Sequence, residues 1–365
     1  MNMIIPFRVN AIMGGQFGSE AKGLVAAHIA LNDGYDGPLV CTTNAGAQAG
    51  HTTVLEDGSK FVCYHLPTIG VLRPMSMIYL NAGSIIDLDL FDKEISSVAQ
   101  ATGQTRESLI SRIVVHPNAT IISDTAKGSE AGGSTTHLGS TQKGVGAALA
   151  EKTMRQPKAV AKAEARWFSV RELDLHDKTV TMEIPQGTGL SLNSSGFYPK
   201  VTSRECWLGQ GLVDAGVHPV ALGSSTMVVR TFPIRVGHIT DDNGEILGHS
   251  GPFYEDGGEV YWDQLPGIEP ERTTVTKRVR RIAKWSTAQY FHGLKMNRPD
   301  MVYLTFTNYC SLEELRYIVA RMRAAEERMR LKVKHMYSWG PSVTQVSKSF
   351  GDATPFCRQT EMGAF

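Results

Sequence analysis

The chain reads as an α/β protein, a mainly parallel central sheet flanked by helices with smaller irregular subdomains. Two observations predict this. Short runs of apolar and β-branched residues alternate with stretches of helical composition from end to end, the pattern of a sheet covered on both faces. The first run closes on a glycine pair that leads directly into a helical stretch, which is how nucleotide-binding α/β units open.

Taken in order, residues 7–13 form that first strand, Gly14 and Gly15 the turn, and residues 22–31 the helix. Residues 39–43, 61–66 and 77–80 predict further strands, and 92–101 a helix. Residues 123–143 are rich in Gly, Ser and Thr. That stretch suits either a mobile surface loop or a phosphate-binding segment. Helical composition returns over 145–165. Residues 179–184 alternate like a strand and run into Pro185-Gln186-Gly187-Thr188-Gly189, and 227–230 is strand-like again. Gly, Asp and Pro over 237–267 predict an irregular excursion or small hairpin, and 301–306 a buried strand. Ser311 then caps a long helix, with Glu314 spaced to complete a capping box. Leu312, Leu315, Ile318, Val319 and Met322 form its inward stripe.

The 365 residues are 42% hydrophobic and 20% charged, which allows a sizeable core and argues against disorder. Residues 1–365 are read as a single domain with subdomains. A formal net charge of +1 offers no stripe for nucleic acid and no membrane-surface patch, so neither partner is expected. Cys41, Cys63, Cys206, Cys310 and Cys357 contain no CxxC pair. A disulfide framework or structural zinc is therefore not expected, and a reducing, cytoplasmic setting is. The first residues, with Arg8 among them, do not read as a signal peptide, and no apolar run approaches membrane-spanning length.

Three segments carry chemistry. Gly14-Gly15-Gln16-Phe17-Gly18-Ser19-Glu20-Ala21-Lys22-Gly23 would let backbone amides approach phosphate, with Lys22 near a helix N-terminus to neutralise charge. It departs from a regular P-loop, because Gly rather than Ser or Thr follows Lys22. Taken alone, a plain strand-to-helix turn reads it equally well. Ala49-Gly50-His51-Thr52 follows the second strand; a lone histidine there is either structural or catalytic. Late in the chain, Thr273, Thr274 and Thr276 precede Lys277-Arg278-Val279-Arg280-Arg281. Such a run can be a solvated face, but hydroxyls beside arginines also suit carboxylate or phosphate capture.

In this order, the segments resemble the adenylosuccinate synthetase family. The family's first loop, GxQWGDEGKGK, is matched by GGQFGSEAKGL, and its NAGHT by Gln48-Ala49-Gly50-His51-Thr52 with one change. HLIPSGIL resembles residues 65–72, GTTGRGIGP resembles 139–147, and GAQGT resembles Pro185-Gln186-Gly187-Thr188. YPYVTS is similar to 198–203, RVG recurs at Arg235-Val236-Gly237, and STGP resembles Ser338-Trp339-Gly340-Pro341. The matches are collinear over nearly the whole chain, which makes them specific.

The resemblance implies a P-loop-like fold and a two-step ligation. A nucleoside triphosphate phosphorylates a purine 6-oxygen, and the amine of L-aspartate then displaces phosphate. It implies that His51, Ser19 and Lys22 are catalytic, with His51 the proton donor or electrostatic partner at the developing oxygen charge. The nucleotide substrate would meet Ser19, Asn44, Ser140, Thr141, Gln186, Thr202 and Arg278. Arg155 matches an arginine that the family lends across a homodimer interface. ATP would meet Gly15, Gln16, Gly18, Glu20, Ala21, Lys22, Gly23, Gly50, His51, Thr52, Asn308, Ser338, Gly340 and Pro341. Aspartate would meet Thr274, Val275, Thr276 and Arg280. Mg²⁺ is implied as cofactor, with Ser19 and the Gly50 carbonyl as its protein oxygens.

Departures from the family set the subtype. The family's loop Asp, its general base, is Ser19 here, and an unactivated serine is a poor base. This exchange resembles the family's bacteriophage branch, which acts on dGMP in the host cytoplasm to supply 2-aminoadenine DNA. The family's guanine reader TKLD is Thr305-Phe306-Thr307-Asn308. An amide with one acceptor and one donor suits adenine, so ATP or dATP is the expected phosphoryl donor. The chain is also shorter than the usual bacterial members, so some peripheral elements are expected to be missing. Two alternatives stay open: a family member acting on IMP, and a catalytically inactive nucleotide-binding regulator.

Overall fold

The computed structural model describes residues 8–34, 37, 39–163, 168–175, 178–273 and 277–359. Ten strands form one sheet. In chain order they are β1 (Arg8–Gly14), β2 (Leu39–Thr43), β3 (Met77–Leu80), β4 (Ile113–Val115), β5 (Ser169–Val170), β6 (Thr179–Glu183), β7 (Leu222–Arg230), β8 (Met301–Thr305), β9 (Lys334–Ser338) and β10 (Val346–Ser347). Their order in space is β10-β9-β8-β7-β1-β6-β2-β3-β4-β5. Every neighbouring pair is parallel except β9 with β10. Parallel strands are buried on both faces and read as continuous apolar runs rather than alternation. Leu39–Thr43 is buried at every position for this reason.

The side chains of β1 divide between two layers because successive residues face opposite ways. Val9, Ala11 and Met13 join a core with Tyr290 and Leu294 of α4 (Thr287–Asn297) and Leu315, Ile318 and Met322 of α5 (Leu312–Arg328). Ile12 faces the other way, onto Leu24 and Val25 of α1 (Lys22–Asn32). The capping box at α5 forms as its spacing predicts. The Ser311 hydroxyl accepts the Glu314 amide at 3.1 Å, and the Glu314 carboxylate accepts the Ser311 amide at 2.7 Å.

Element bounds differ from expectation at a few places. The helix expected over 92–101 is α2 (Leu88–Thr102), because the Asp87 carboxylate accepts the amides of Asp89 and Leu90 and starts the helix a turn early. The helix expected over 145–165 is only α3 (Val145–Thr153), followed by short 3₁₀ turns at Pro157–Ala159 and Ala161–Ala163. Arg155 takes a left-handed φ of 58°, and Pro157 biases the residue before it away from helix. Residues 164–167 of that expectation lie outside the described residues. The strand expected over 61–66 is Lys60–Cys63, and it pairs antiparallel with His51–Val54. Residues 123–143 are not one open loop. Asp124–Ser129, Glu130–Ser134 and Thr136–Leu138 are helical turns. Within 237–267, Ile239–Thr240 and Ile246–Gly248 form the small hairpin.

No helix among the described residues is long and apolar enough to cross a membrane. The cysteines are free thiols, and all but Cys357 are buried.

Candidate active site

The site lies at the carboxyl ends of the central strands, where open parallel sheets bind ligands. There β1, β6, β7 and β8 end in Gly14, Glu183, Arg230 and Thr305. The loop after β1 folds around one buried carboxylate. Glu20 Oε1 accepts the amides of Gln16 at 3.1 Å and Gly18 at 2.8 Å, while Oε2 pairs with Lys22 Nζ at 2.8 Å. Lys22 also donates to the Gln186 carbonyl. Gly18, Ser19 and Ala21 hold left-handed backbone, with φ of 84°, 56° and 66°. For Ser19 and Ala21 that costs on the order of 1 kcal/mol each, and Glu20 fixes the loop that imposes it. Ala21 places no side-chain cap on α1, which leaves that helix N-terminus suited to an anion.

His51 opens the His51–Val54 strand and is 8% exposed. Its Nδ1 lies 3.5 Å from Glu183 Oε2. Glu183 Oε1 accepts the Ile69 amide at 2.8 Å, but Oε2 is buried with no hydrogen-bond partner. The free oxygen of Glu183 therefore faces the imidazole and can orient it.

Two cavities meet at this loop. The first is lined by Ser140, Thr141, Gln186 and Thr202 together with Gln48, Glu130, Arg235 and Thr273. Glu130 is 3% exposed and caps α3 from inside, accepting the amides of Gly144 at 2.7 Å and Gly146 at 2.8 Å. Arg235 donates to the carbonyls of Ser250 at 2.7 Å and Lys200 at 2.6 Å, with its guanidinium 4.3 Å from the Phe17 ring centroid. Burial, reinforced by nearby Arg281, brings that guanidinium down to about 9.

The second cavity is lined by Glu20, Ala21, Gly23, Thr52, Phe306, Asn308, Ser338, Gly340 and Pro341. Gly23 is required where it stands, because a Cβ there would meet the Thr52 carbonyl at 2.6 Å. On this side the buried Arg230 guanidinium lies 3.9 Å from the Phe306 ring centroid and donates to the Ser19 carbonyl at 3.0 Å. It also pairs with Glu271. Burial alone would raise the Glu271 carboxyl, but Arg230 and Arg280 together hold it below the usual carboxylate range. Ser19, Lys22, Gly50, His51 and Arg280 line both cavities. Burial brings the Arg280 guanidinium down to about 10, against the opposing pull of Glu271.

Most of the expected site residues thus come together, and several do not. Gly18 lines the first cavity rather than the second. Gly15 and Gln16 line neither cavity, because their polar groups are spent inside the fold. The Gly15 amide donates to the Val228 carbonyl at 2.9 Å, and the Gln16 side chain brackets the Arg230 backbone at 3.0 and 2.9 Å. Asn44 is buried and lines neither cavity, donating to Asp214 at 2.7 Å. Arg278 is half-buried outside both cavities, and Arg155 is exposed away from them. Thr274, Val275 and Thr276 lie outside the described residues. Glu183, Arg230 and Glu271 are site residues that the sequence reading missed. Glu183 alone had a signal, a carboxylate at the end of the strand that runs into Gln186.

Residues 11–166 match the family described as adenylosuccinate synthetase. The N6-succino-2-amino-2'-deoxyadenylate synthase of Salmonella phage PMBT28 is 33% identical over 93% of this chain and 97% of its own length. The enzyme of that name from Acinetobacter phage SH-Ab 15497 is 36% identical over 82% and 84%. Among solved structures, the cyanophage S-2L succinoaminodeoxyadenylate synthetase bound to dGMP and dATP as an energy donor superposes with a TM-score of 0.81. That pair is 29% identical and covers 96% of this chain and 99% of that one. The adenylosuccinate synthetase of Plasmodium falciparum, 19% identical over 93% and 99%, shares the fold with a TM-score of 0.72. On similarity that spans nearly the full length of both chains, the protein belongs to the adenylosuccinate synthetase family and stands with its bacteriophage branch.

Proposed function

We propose that the chain is a ligase that condenses L-aspartate with dGMP at purine C6, driven by ATP or dATP, to give N6-succino-2-amino-2'-deoxyadenylate. The carrying observation is the junction of two cavities at Ser19, Lys22, Gly50, His51 and Arg280. One cavity takes dGMP and the other the triphosphate, so the γ-phosphoryl group crosses where they meet. The guanine 6-oxygen takes the phosphoryl group and becomes a leaving group. The aspartate amine then bonds to C6, loses a proton, and expels inorganic phosphate beside ADP or dADP. Phosphoryl transfer depends on positioning and charge stabilisation more than on covalent help.

Each side chain has a task in this reading. Lys22 and the amides of the first loop hold the transferring phosphate. His51, oriented by Glu183, supports the developing charge on the 6-oxygen. Ser140, Thr141 and Thr202 line the nucleotide cavity and receive the 5'-phosphate. Arg280 receives an aspartate carboxylate at the junction. Ser19 leaves room beside C2, and Asn308 faces the donor base. Among the described residues no cluster of His, Cys, Asp and Glu could hold a metal alone. Mg²⁺ therefore fits as a cation carried mainly by substrate phosphates, with the Gly50 carbonyl and Ser19 hydroxyl as added oxygens. When bound it would neutralise charge on the phosphates.

One sheet draws strands from Arg8–Gly14 to Val346–Ser347, which supports reading residues 1–365 as one domain. We place the enzyme in the cytoplasm as a homodimer. The deciding experiment follows phosphate release with Mg²⁺ and L-aspartate, comparing dGMP plus ATP with IMP plus GTP. The reading expects aspartate-dependent release with the first pair. Release with the second pair alone would return the protein to the IMP reaction, and nucleotide binding without any release would make it a regulator.

A further inference from the structure

Glu271 occupies a position that no catalytic role explains. Its carboxylate lines the donor cavity. Both oxygens face the Arg230 guanidinium, one of them at 3.3 Å, and the Tyr309 hydroxyl donates to Oε1 at 3.0 Å. Arg230 continues to the Ser19 carbonyl at 3.0 Å and to the Phe306 ring at 3.9 Å. Phe306 and Tyr309 pack edge to face, with centroids 5.1 Å apart. The side chain of Glu271 is thus bound to Tyr309 of the donor cavity and, through Arg230, is connected to the first loop.

Its backbone belongs to the arginine segment. The Glu271 carbonyl accepts the Arg280 amide at 2.8 Å, Arg272 bridges Val279, and the Thr273 amide donates to the Arg278 carbonyl at 2.9 Å. The segment is closed on itself by these bonds. The Glu271 side chain ties it to Arg230 and Tyr309; the Arg280 carbonyl also accepts Trp262 Nε1 at 2.7 Å, and the Trp262 ring packs against Tyr309.

We infer that Glu271 is a positioning residue that couples donor-nucleotide occupancy to aspartate affinity, by locking the Arg280 segment to Arg230 and Tyr309. This rests on the proposed function, which gives Arg280 the aspartate carboxylate. Coupling between sites in one protein commonly spans about 5- to 150-fold. Titration calorimetry of L-aspartate into the dGMP complex, with and without a non-hydrolysable ATP analogue, reads it directly. In the unmodified enzyme the analogue should tighten aspartate binding about fivefold or more. In Glu271→Gln that factor should fall to about one while each ligand still binds singly, an effect that a general loss of structure does not produce. Tyr309→Phe removes one of the hydrogen bonds and should give an intermediate factor. It also decides the matter if Glu271→Gln does not melt cooperatively. A coupling factor unchanged in these variants, or absent from the unmodified enzyme, overturns the inference. Turnover of dGMP, ATP and aspartate by the unmodified enzyme separates the two failures. With turnover and unchanged coupling only the tie is wrong; without turnover the functional reading falls and takes the tie with it.

Discussion

In the proposed function Asn308 is the side chain that reads the donor base. It lines the donor cavity beside Phe306, and its amide offers one acceptor and one donor group, which complements the N1 and N6 edge of adenine. Guanine presents N1–H and a 2-amino group, both donors, which a carboxylate accepts together. Asn308→Asp should therefore lower kcat/KM for ATP and raise it for GTP, moving their ratio by about tenfold or more, equivalent to about 1.4 kcal/mol or more. Initial rates with both donors check this, and an unmoved ratio removes Asn308 from base recognition. His51 makes a second test. His51→Ala should lower kcat by about 10²- to 10⁴-fold, with the dGMP KM less affected. Glu183→Gln should lower kcat by less, because it removes an orienting carboxylate and leaves the imidazole. The resemblance to the family's motifs points to His51, Lys22 and Asn308, and the fold sets His51 and Lys22 at the junction of the cavities and Asn308 in the second. Glu183 has only its place at the end of a strand as a signal and Glu271 has none, because their importance comes from which partners the fold sets against them. A carboxylate with its Oε2 aimed at His51 looks like any other strand residue until β2 and β6 pair.

At the scale of elements, the first loop shows what holds a phosphate-binding turn open. Glu20 is fully buried and spends its carboxylate on two backbone amides and Lys22. Removing one partner of such a pair leaves an uncompensated buried charge. Glu20→Ala should cost about 3–5 kcal/mol of stability, read as a shifted midpoint in urea unfolding, with donor binding weakened in parallel. An unchanged midpoint would mean that the loop folds without this carboxylate. Glu20, expected against ATP, lines the donor cavity, and its carboxylate is committed to the loop itself. Elements with a strong period and a cap were legible. α5 begins at its capping box, and β1, β2 and β8 fall within a residue or two of expectation. The shortened α3 was not legible, because its composition stays helical to residue 165 and only the backbone at Arg155 and Pro157 ends it. The helical turns over 124–138 were hidden for a related reason. Glycine and serine suggest a loop, while Glu130 closes the segment by capping α3 across the fold.

At the scale of the whole molecule, Arg155 stands exposed, just beyond the end of α3, outside both cavities. Within one protomer it lines neither cavity, and the homodimer proposed above would carry it to the neighbour's site. If so, each active site is built from two chains. Arg155→Leu should raise the nucleotide KM with aspartate affinity changed less, yet that result alone does not distinguish a shared site from a local disturbance. Mixing does. A dimer of Arg155→Leu chains lacks the lent arginine at both sites, and a dimer of His51→Ala chains lacks the imidazole at both. In a mixed dimer one site collects both defects, while the other has its own His51 and receives Arg155 from its partner. Random exchange of equal amounts makes half the dimers mixed, each with one intact site of two, so activity should recover to about a quarter of the unmodified enzyme. Phosphate release before and after co-refolding the two variants measures this. Recovery near that value requires a two-fold assembly with Arg155 crossing the interface. No recovery, with mixed dimers confirmed by mass, would place Arg155 in its own protomer's chemistry.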